Sequence, residues 1–148
     1  MINRVKVLFL CTANACRSQM AEGWARQLKG DAIEAYSAGV EPGGLDPRAV
    51  RVMAEAGVDL SGHRSKHVGE VAGVAFDCVI TVCDNAREAC PLFPGRTKVI
   101  HVGFDDPPRL ARDAKTEEEI LAPYRRVRDE IKMFVETLPE ALNAHGGI

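Results

Sequence analysis

The stretch Val5-Lys6-Val7-Leu8-Phe9-Leu10-Cys11-Thr12-Ala13-Asn14-Ala15-Cys16-Arg17-Ser18 decides how the chain is read. Val5, Val7, Leu8, Phe9 and Leu10 leave little room for water on either face, so Arg4 to Cys11 reads as a buried strand. Gln19-Met20-Ala21-Glu22-Gly23-Trp24 follows at once and reads as helix. A strand ending in a tight loop that opens a helix points backbone N–H groups and the positive end of a helix dipole into one small cup, an anion site. Cys11 starts the cup and Arg17 closes it six residues on. The positive potential there favours the thiolate of Cys11. Moving a thiol pKa from about 8.5 to about 6.5 takes roughly 2.7 kcal/mol of field and leaves most of the sulfur ionised at neutral pH. Arg17 offers two parallel N–H groups to a tetrahedral oxyanion, a grip that lysine lacks.

Outward from this loop the chain alternates. Ser18 is placed to cap the helix, which carries Met20, Trp24 and Leu28 inward and stops at Gly30. Ala32 to Ala38 is a shorter, more polar strand, hence an edge. Gly43-Gly44 marks a turn, and Asp46-Pro47 opens a helix with Val50, Met53 and Ala54 on one face and Gly57 as its stop. Asp59 to Gly73 reads as loop with one short helix. Cys78 to Val82 and Thr97 to Val102 are two further apolar strands, separated by a short helical stretch that Pro91 ends. From Thr116 a long helix runs to about Leu138, with Thr116 and Glu119 spaced as a capping box. Its core stripe is Leu121, Tyr124, Val127, Ile131, Phe134 or Val135, and Leu138, and Pro123 is expected to break or kink it early.

Strands alternating with helices imply right-handed crossovers. The expected fold is a single α/β domain over residues 1–148, a doubly wound four-stranded parallel sheet with helices on both faces. Ligands of such sheets bind beyond the C-terminal strand ends, where Cys11 falls. An apolar fraction of 46% and a charged fraction of 27% are ordinary for a globular protein. A net charge of −2 gives no basic field for nucleic acid. No apolar run nears the roughly 20 residues that cross a bilayer, and no signal-peptide pattern opens the chain. A cytoplasmic protein without a membrane role is expected, and five cysteines in that compartment do not read as a disulfide framework.

Cys11-x5-Arg17-Ser18 resembles the phosphate-binding loop of the low-molecular-weight tyrosine phosphatase superfamily. The fuller string from Cys11 to Trp24 is more similar to its thioredoxin-coupled arsenate reductase branch. The resemblance implies an oxyanion-binding loop of Thr12, Ala13, Asn14, Ala15, Cys16, Arg17 and Ser18, with Cys11 as nucleophile. It also implies a general acid at the aspartate directly before a proline, here Asp106 of Gly103-Phe104-Asp105-Asp106-Pro107. Phosphatases acting on phosphotyrosine usually carry an aromatic residue after that pair. Pro108 stands here, which argues for a small inorganic substrate.

Cys83 ends the third strand at the same sheet edge as Cys11, and Cys90 follows seven residues later. Both read as small core hydrophobes, as a poor zinc pair, or as a redox couple. Seven residues of helix separate two Cα atoms by about 10 Å, whereas a disulfide needs them within roughly 7 Å, so a bridge requires the helix between them to unwind. So short a helix, below the ~12–15 residues of a self-stable one, melts cheaply. In the arsenate reductase branch two further cysteines have this placement and spacing, and the resemblance supports the redox reading. It implies a Cys11/Cys83/Cys90 relay recycled by thioredoxin, without an organic cofactor or catalytic metal. The alternatives are a phosphatase with a Cys11 phosphoryl intermediate and a non-catalytic sensor of oxyanions or oxidants.

Asn14 and Ser18 are expected to support the loop, Asn14 from a left-handed backbone and Ser18 by donating to the Cys11 thiolate. Some family members hold potassium behind the loop with residues matching Asn14, Glu22, Ser37 and an acidic side chain. Lys66 takes the acidic place, which counts against the ion; its ammonium is expected to pair with Glu22. Arsenate is the expected ligand, phosphate and sulfate its competitors, and the expected state is a monomer. Cys16 and Cys78 read as packing residues, and His63, His67, His101 and His145 form no ligand spacing.

Overall fold

The computed structural model describes residues 4–83 and 97–145. Four parallel strands, β1 (Val5–Cys11), β2 (Ile33–Gly39), β3 (Cys78–Thr81) and β4 (Lys98–His101), form one sheet in the order β2-β1-β3-β4. The more polar second strand is an edge, as its composition requires. Val7 to Cys11 and all of β3 are buried. Successive residues of a strand point to opposite faces, so full burial along the run means that both faces are covered.

Between the strands lie α1 (Arg17–Lys29), α2 (Pro47–Glu55) and a 3-10 turn at Val68–Val71; after β4 come α3 (Pro107–Leu110) and α4 (Glu117–Glu136). α1 starts one residue before Ser18, with Cys16 at the cap, so Ser18 lies inside the helix and does not cap it. Met20 and Trp24 point inward as expected, but Leu28 is 38% exposed. Trp24 also donates from Nε1 to Arg128 O at 3.1 Å, fastening α1 to α4. Asp46 caps α2 by accepting from Arg48 N at 2.9 Å, and Gly57 ends the turn beyond it at φ +85. The buried face of α2 is Ala49, Val52 and Met53. Val50 and Ala54, expected inward, sit one position round the helix from it.

Leu121, Tyr124, Val127, Ile131, Val135 and Leu138 all bury, and Val135 rather than Phe134 completes the stripe. Pro123 does not end α4. Its missing N–H forfeits one bond to Glu119 O, near the helix start, while Leu121, Tyr124 and Val127 bury on either side and hold the turn. Thr116 accepts from Glu119 N at 3.1 Å, but the Glu119 carboxylate reaches Lys115 N instead of closing the box on Thr116. The helical stretch expected between β3 and β4, with Cys90 and Pro91, lies outside the described residues.

Candidate active site

The loop after β1 is shaped by where its carbonyls go. Val40 N donates to Cys11 O at 3.2 Å, Glu41 N to Thr12 O at 2.8 Å, Gly43 N to Ala13 O at 3.0 Å and Asp46 N to Ala15 O at 3.0 Å. The Asn14 carbonyl accepts from Gln19 Nε2 at 3.1 Å. With the carbonyls drawn outward to residues 40–46 and to Gln19, the loop amides face the other way, toward the cup. Asn14 takes the left-handed conformation at φ +50 that turns the loop. Its Nδ2 donates to Ser18 Oγ at 2.9 Å, and its Oδ1 accepts from Lys66 N at 3.0 Å and Gln19 Nε2 at 3.1 Å. Ser65 Oγ donates to Ala13 O at 2.8 Å. Gly39 lies against the loop so closely that a Cβ there would stand 2.6 Å from Thr12 O.

Behind the loop, Ser37 Oγ donates to Glu22 Oε1 and Arg26 pairs with Glu22 Oε2 at 2.8 Å. Lys66 does not make the expected pair with Glu22. Its Nζ donates to Arg64 O at 3.4 Å, because Arg26, one helical turn along α1, already holds the carboxylate. Asn14 Oδ1 and both Glu22 oxygens thus accept protein donors, so the residues of the potassium position do not fit a cation. Among the described residues no group of three or more His, Cys, Asp or Glu side chains has metal-holding geometry. Gln19, His63, Arg26 and Ser65 join this support and were not singled out from the sequence. Only the folded chain brings residues 63–65 to residues 13–19.

Arg17 has a side chain only 14% exposed. It donates from NH1 to Phe104 O at 2.9 Å and its NH2 lies 3.5 Å from Asp106 Oδ1. Its Nε is buried with no hydrogen-bond partner among the described residues. A buried guanidinium N–H is costly to leave unmatched, and this one belongs to a side chain that lines the cavity beside the loop. Asp106 precedes α3 and, with Arg17, Cys83 and Arg109, lines a cavity of about 220 Å³.

Cys83 is 5% exposed and Cys11 4%. Thr12 Oγ1 and Cys83 Sγ are hydrogen-bonded at 3.1 Å, which holds Cys83 against the loop that Cys11 opens. Its neighbour Cys83 and burial push the Cys11 thiol up, opposite to the direction expected from the loop field, with Arg17 and the Thr12 N–H pulling the other way. Ser18 Oγ accepts from Asn14 Nδ2, and among the described residues the expected bond from Ser18 to Cys11 is not formed. The structure therefore gathers Cys11, the 12–18 loop, Arg17, Cys83 and Asp106, while Cys90 lies outside the described residues.

The sequence matches the family described as low molecular weight phosphotyrosine protein phosphatase over residues 6–146. The chain belongs to this family. Among its relatives, an arsenate reductase of Bacillus subtilis is 49% identical over 135 residues, covering 88% of this chain and 95% of that protein. An arsenate reductase of Halalkalibacterium halodurans is 43% identical over 139 residues, covering 94% and 98%. A solved arsenate reductase in its oxidized state superposes with a TM-score of 0.75 at 31% identity, over 93% of this chain and 98% of that one. A low-molecular-weight tyrosine phosphatase from T. tengcongensis gives 0.69 at 27% identity, over 93% and 99%. The parallel four-stranded sheet and the anion loop after its first strand are thus family features, and the second cysteine beside Cys11 is what the phosphatase reaction does not need.

Proposed function

We propose that this chain is an arsenate reductase, a single catalytic domain that converts arsenate to arsenite with two electrons passed through a relay of three of its own thiols. One observation carries the reading: a second thiol, Cys83, stands at the rim of the oxyanion loop, hydrogen-bonded to Thr12 and lining the same cavity as Arg17 and Asp106. A phosphatase needs one sulfur there. A reductase needs two, because two electrons must reach arsenic. The arsenate reductases that match over most of both chains support the same conclusion.

Hydrogenarsenate lies in the cup, held by the amides of residues 12–18 and by Arg17 through its unpartnered Nε. Cys11 sulfur attacks arsenic as Asp106 protonates the departing oxygen. The departing hydroxyl takes that one proton and leaves as water, and the proton that Cys11 gives up recharges the Asp106 carboxylate, so the step balances. Cys83 thiolate then attacks Cys11 sulfur, the S–As bond breaks, and its electron pair stays on arsenic, which departs as arsenite. Cys90 attacks Cys83 and frees Cys11, leaving a Cys83–Cys90 disulfide. Two thiols have become one disulfide and arsenic has gained two electrons, so the sequence balances.

A dithiol protein of the thioredoxin class then reduces the disulfide, in the cytoplasm, where free thiols persist. Cys11, Cys16, Cys78 and Cys83 are free thiols in the structure, as this requires. Phosphate and sulfate compete for the loop, and the chain works as a monomer. Asn14, Ser18, Glu22, Ser37 and Lys66 act by holding the loop. The phosphatase reading retains the loop, Arg17 and Asp106, so slow hydrolysis of an aryl phosphate accompanies the main activity.

The test is a coupled assay that follows NADPH oxidation with thioredoxin and its reductase. Wild type turns over arsenate repeatedly, while Cys83→Ser and Cys90→Ser do not and still hydrolyse an aryl phosphate. Normal cycling by Cys90→Ser overturns the three-thiol relay.

A further inference from the structure

Arg109 lines the same cavity as Arg17, Cys83 and Asp106, and no step above uses it. It lies in α3, directly after the acid-bearing loop, exposed, and among the described residues it makes no ion pair. The charges around it define what it does. Two carboxylates, Asp105 and Asp106, line the cavity together with the guanidinium of Arg17. The charge of Arg17 is already offset by Asp106 at 3.5 Å. Arg126 engages Asp105 at 3.0 Å from α4, but both side chains are half exposed and Arg126 is not part of the cavity wall. Without Arg109 the wall would hold two negative charges against one positive, and an oxyanion approaching the cup would be repelled. With it the wall is balanced, and among the described residues Arg109 is the lining cation without an ion pair.

We propose that Arg109 captures the incoming inorganic oxyanion at the mouth of the cavity and passes it to the loop amides and Arg17. It is a substrate-binding residue for the reaction proposed above, and the arsenate part of the claim rests on that reading. Its partner chemistry is a small tetrahedral anion carrying one or two charges, gripped by a guanidinium outside the loop motif. An exposed cation acts through a screened interaction, so its contribution depends on ionic strength and adds to affinity more than to the chemical step.

Inorganic phosphate, titrated calorimetrically into the reduced protein, tests this without turnover. Arg109→Gln is expected to bind phosphate about three- to tenfold more weakly at low salt, with the gap closing as salt is raised. Arg109→Lys restores most of the affinity. Arg112→Gln, which removes the same charge just beyond α3 and outside the cavity, leaves it unchanged. In the arsenate assay KM rises by the same factor while kcat holds. Phosphate binding by Arg109→Gln within roughly twofold of wild type at low salt overturns the proposal. So does a salt-independent loss that lysine does not restore, which marks a structural role. If phosphate binding weakens as expected while no protein, wild type included, reduces arsenate, the reductase reading fails and the capture role stands.

Discussion

Thr12 Oγ1 lies 3.1 Å from Cys83 Sγ, and this contact ties the sulfur beyond β3 to the oxyanion loop beyond β1. It places the second thiol of the relay before any substrate arrives. Thr12→Val removes the hydroxyl and leaves the loop amides in place. The expected outcome is a fall of about fivefold in arsenate turnover, the cost of one hydrogen bond, with phosphate affinity unchanged. Steady-state kinetics beside a phosphate titration checks it.

Arg17 spends NH1 on Phe104 O and holds NH2 near Asp106, leaving Nε for the oxyanion. Arg17→Lys keeps the charge and loses the planar fork. We expect kcat/KM for arsenate to fall on the order of 100-fold, as for the loss of a preorganised transition-state donor. Wild-type kinetics in the lysine variant would remove Arg17 from the site.

Gly39 is required by proximity, not by its own backbone. A Cβ there meets Thr12 O at 2.6 Å and Asn14 N at 2.9 Å, both main-chain atoms that cannot swing aside. Gly39→Ala is expected to lose about 1–3 kcal/mol of stability, as overpacking does, and to weaken phosphate binding because the loop itself must shift. Urea denaturation and phosphate titration of the same variant read both effects.

His63 supplies a pH dependence. Gln19 turns Nε2 to three oxygens, Asn14 O, Asn14 Oδ1 and Arg64 O, so its Oε1 faces His63 Nδ1, which donates at 3.0 Å in the neutral ring. Burial pushes His63 below its ordinary value of 6.5; Glu22 and Asp59 pull it up, and Arg26 and Lys66 push it further down. A base with a depressed folded pKa binds protons more tightly when unfolded. Stability is therefore full above pH 6.5 and is lost as pH falls through that value toward the folded one. The urea midpoint is expected to drop between pH 7.5 and pH 5.5, and His63→Gln to flatten that part of the drop. An equal slope in both proteins would contradict this.

Much of the fold is legible in short-range chemistry. Asp46-Pro47 opens α2 and Thr116 caps α4, because a cap is decided within four residues. The run Val7 to Leu10 announces a strand covered on both faces, and Cys11-x5-Arg17 announces the anion loop. What was not legible depends on contacts across the chain. Leu28 fits the helical stripe, yet the fold leaves it exposed. The Glu22 partner is Arg26, not Lys66, because the backbone of 64–66 packs on the loop with its amide, Lys66 N, turned to Asn14. The Cys11 thiol is pushed up by Cys83, 72 positions away, and by burial, neither of which the local motif shows. Arg109 carries no motif and becomes visible only as a wall of the cavity.

The most direct test of the relay is a single turnover without external reductant. Fully reduced protein is mixed with excess arsenate, quenched with an alkylating agent, and its disulfides are mapped by mass spectrometry while arsenite is counted. The account predicts one arsenite per chain and a Cys83–Cys90 disulfide, with Cys11 recovered as an alkylated thiol. Recovery of all three cysteines as thiols, with no arsenite formed, would contradict it.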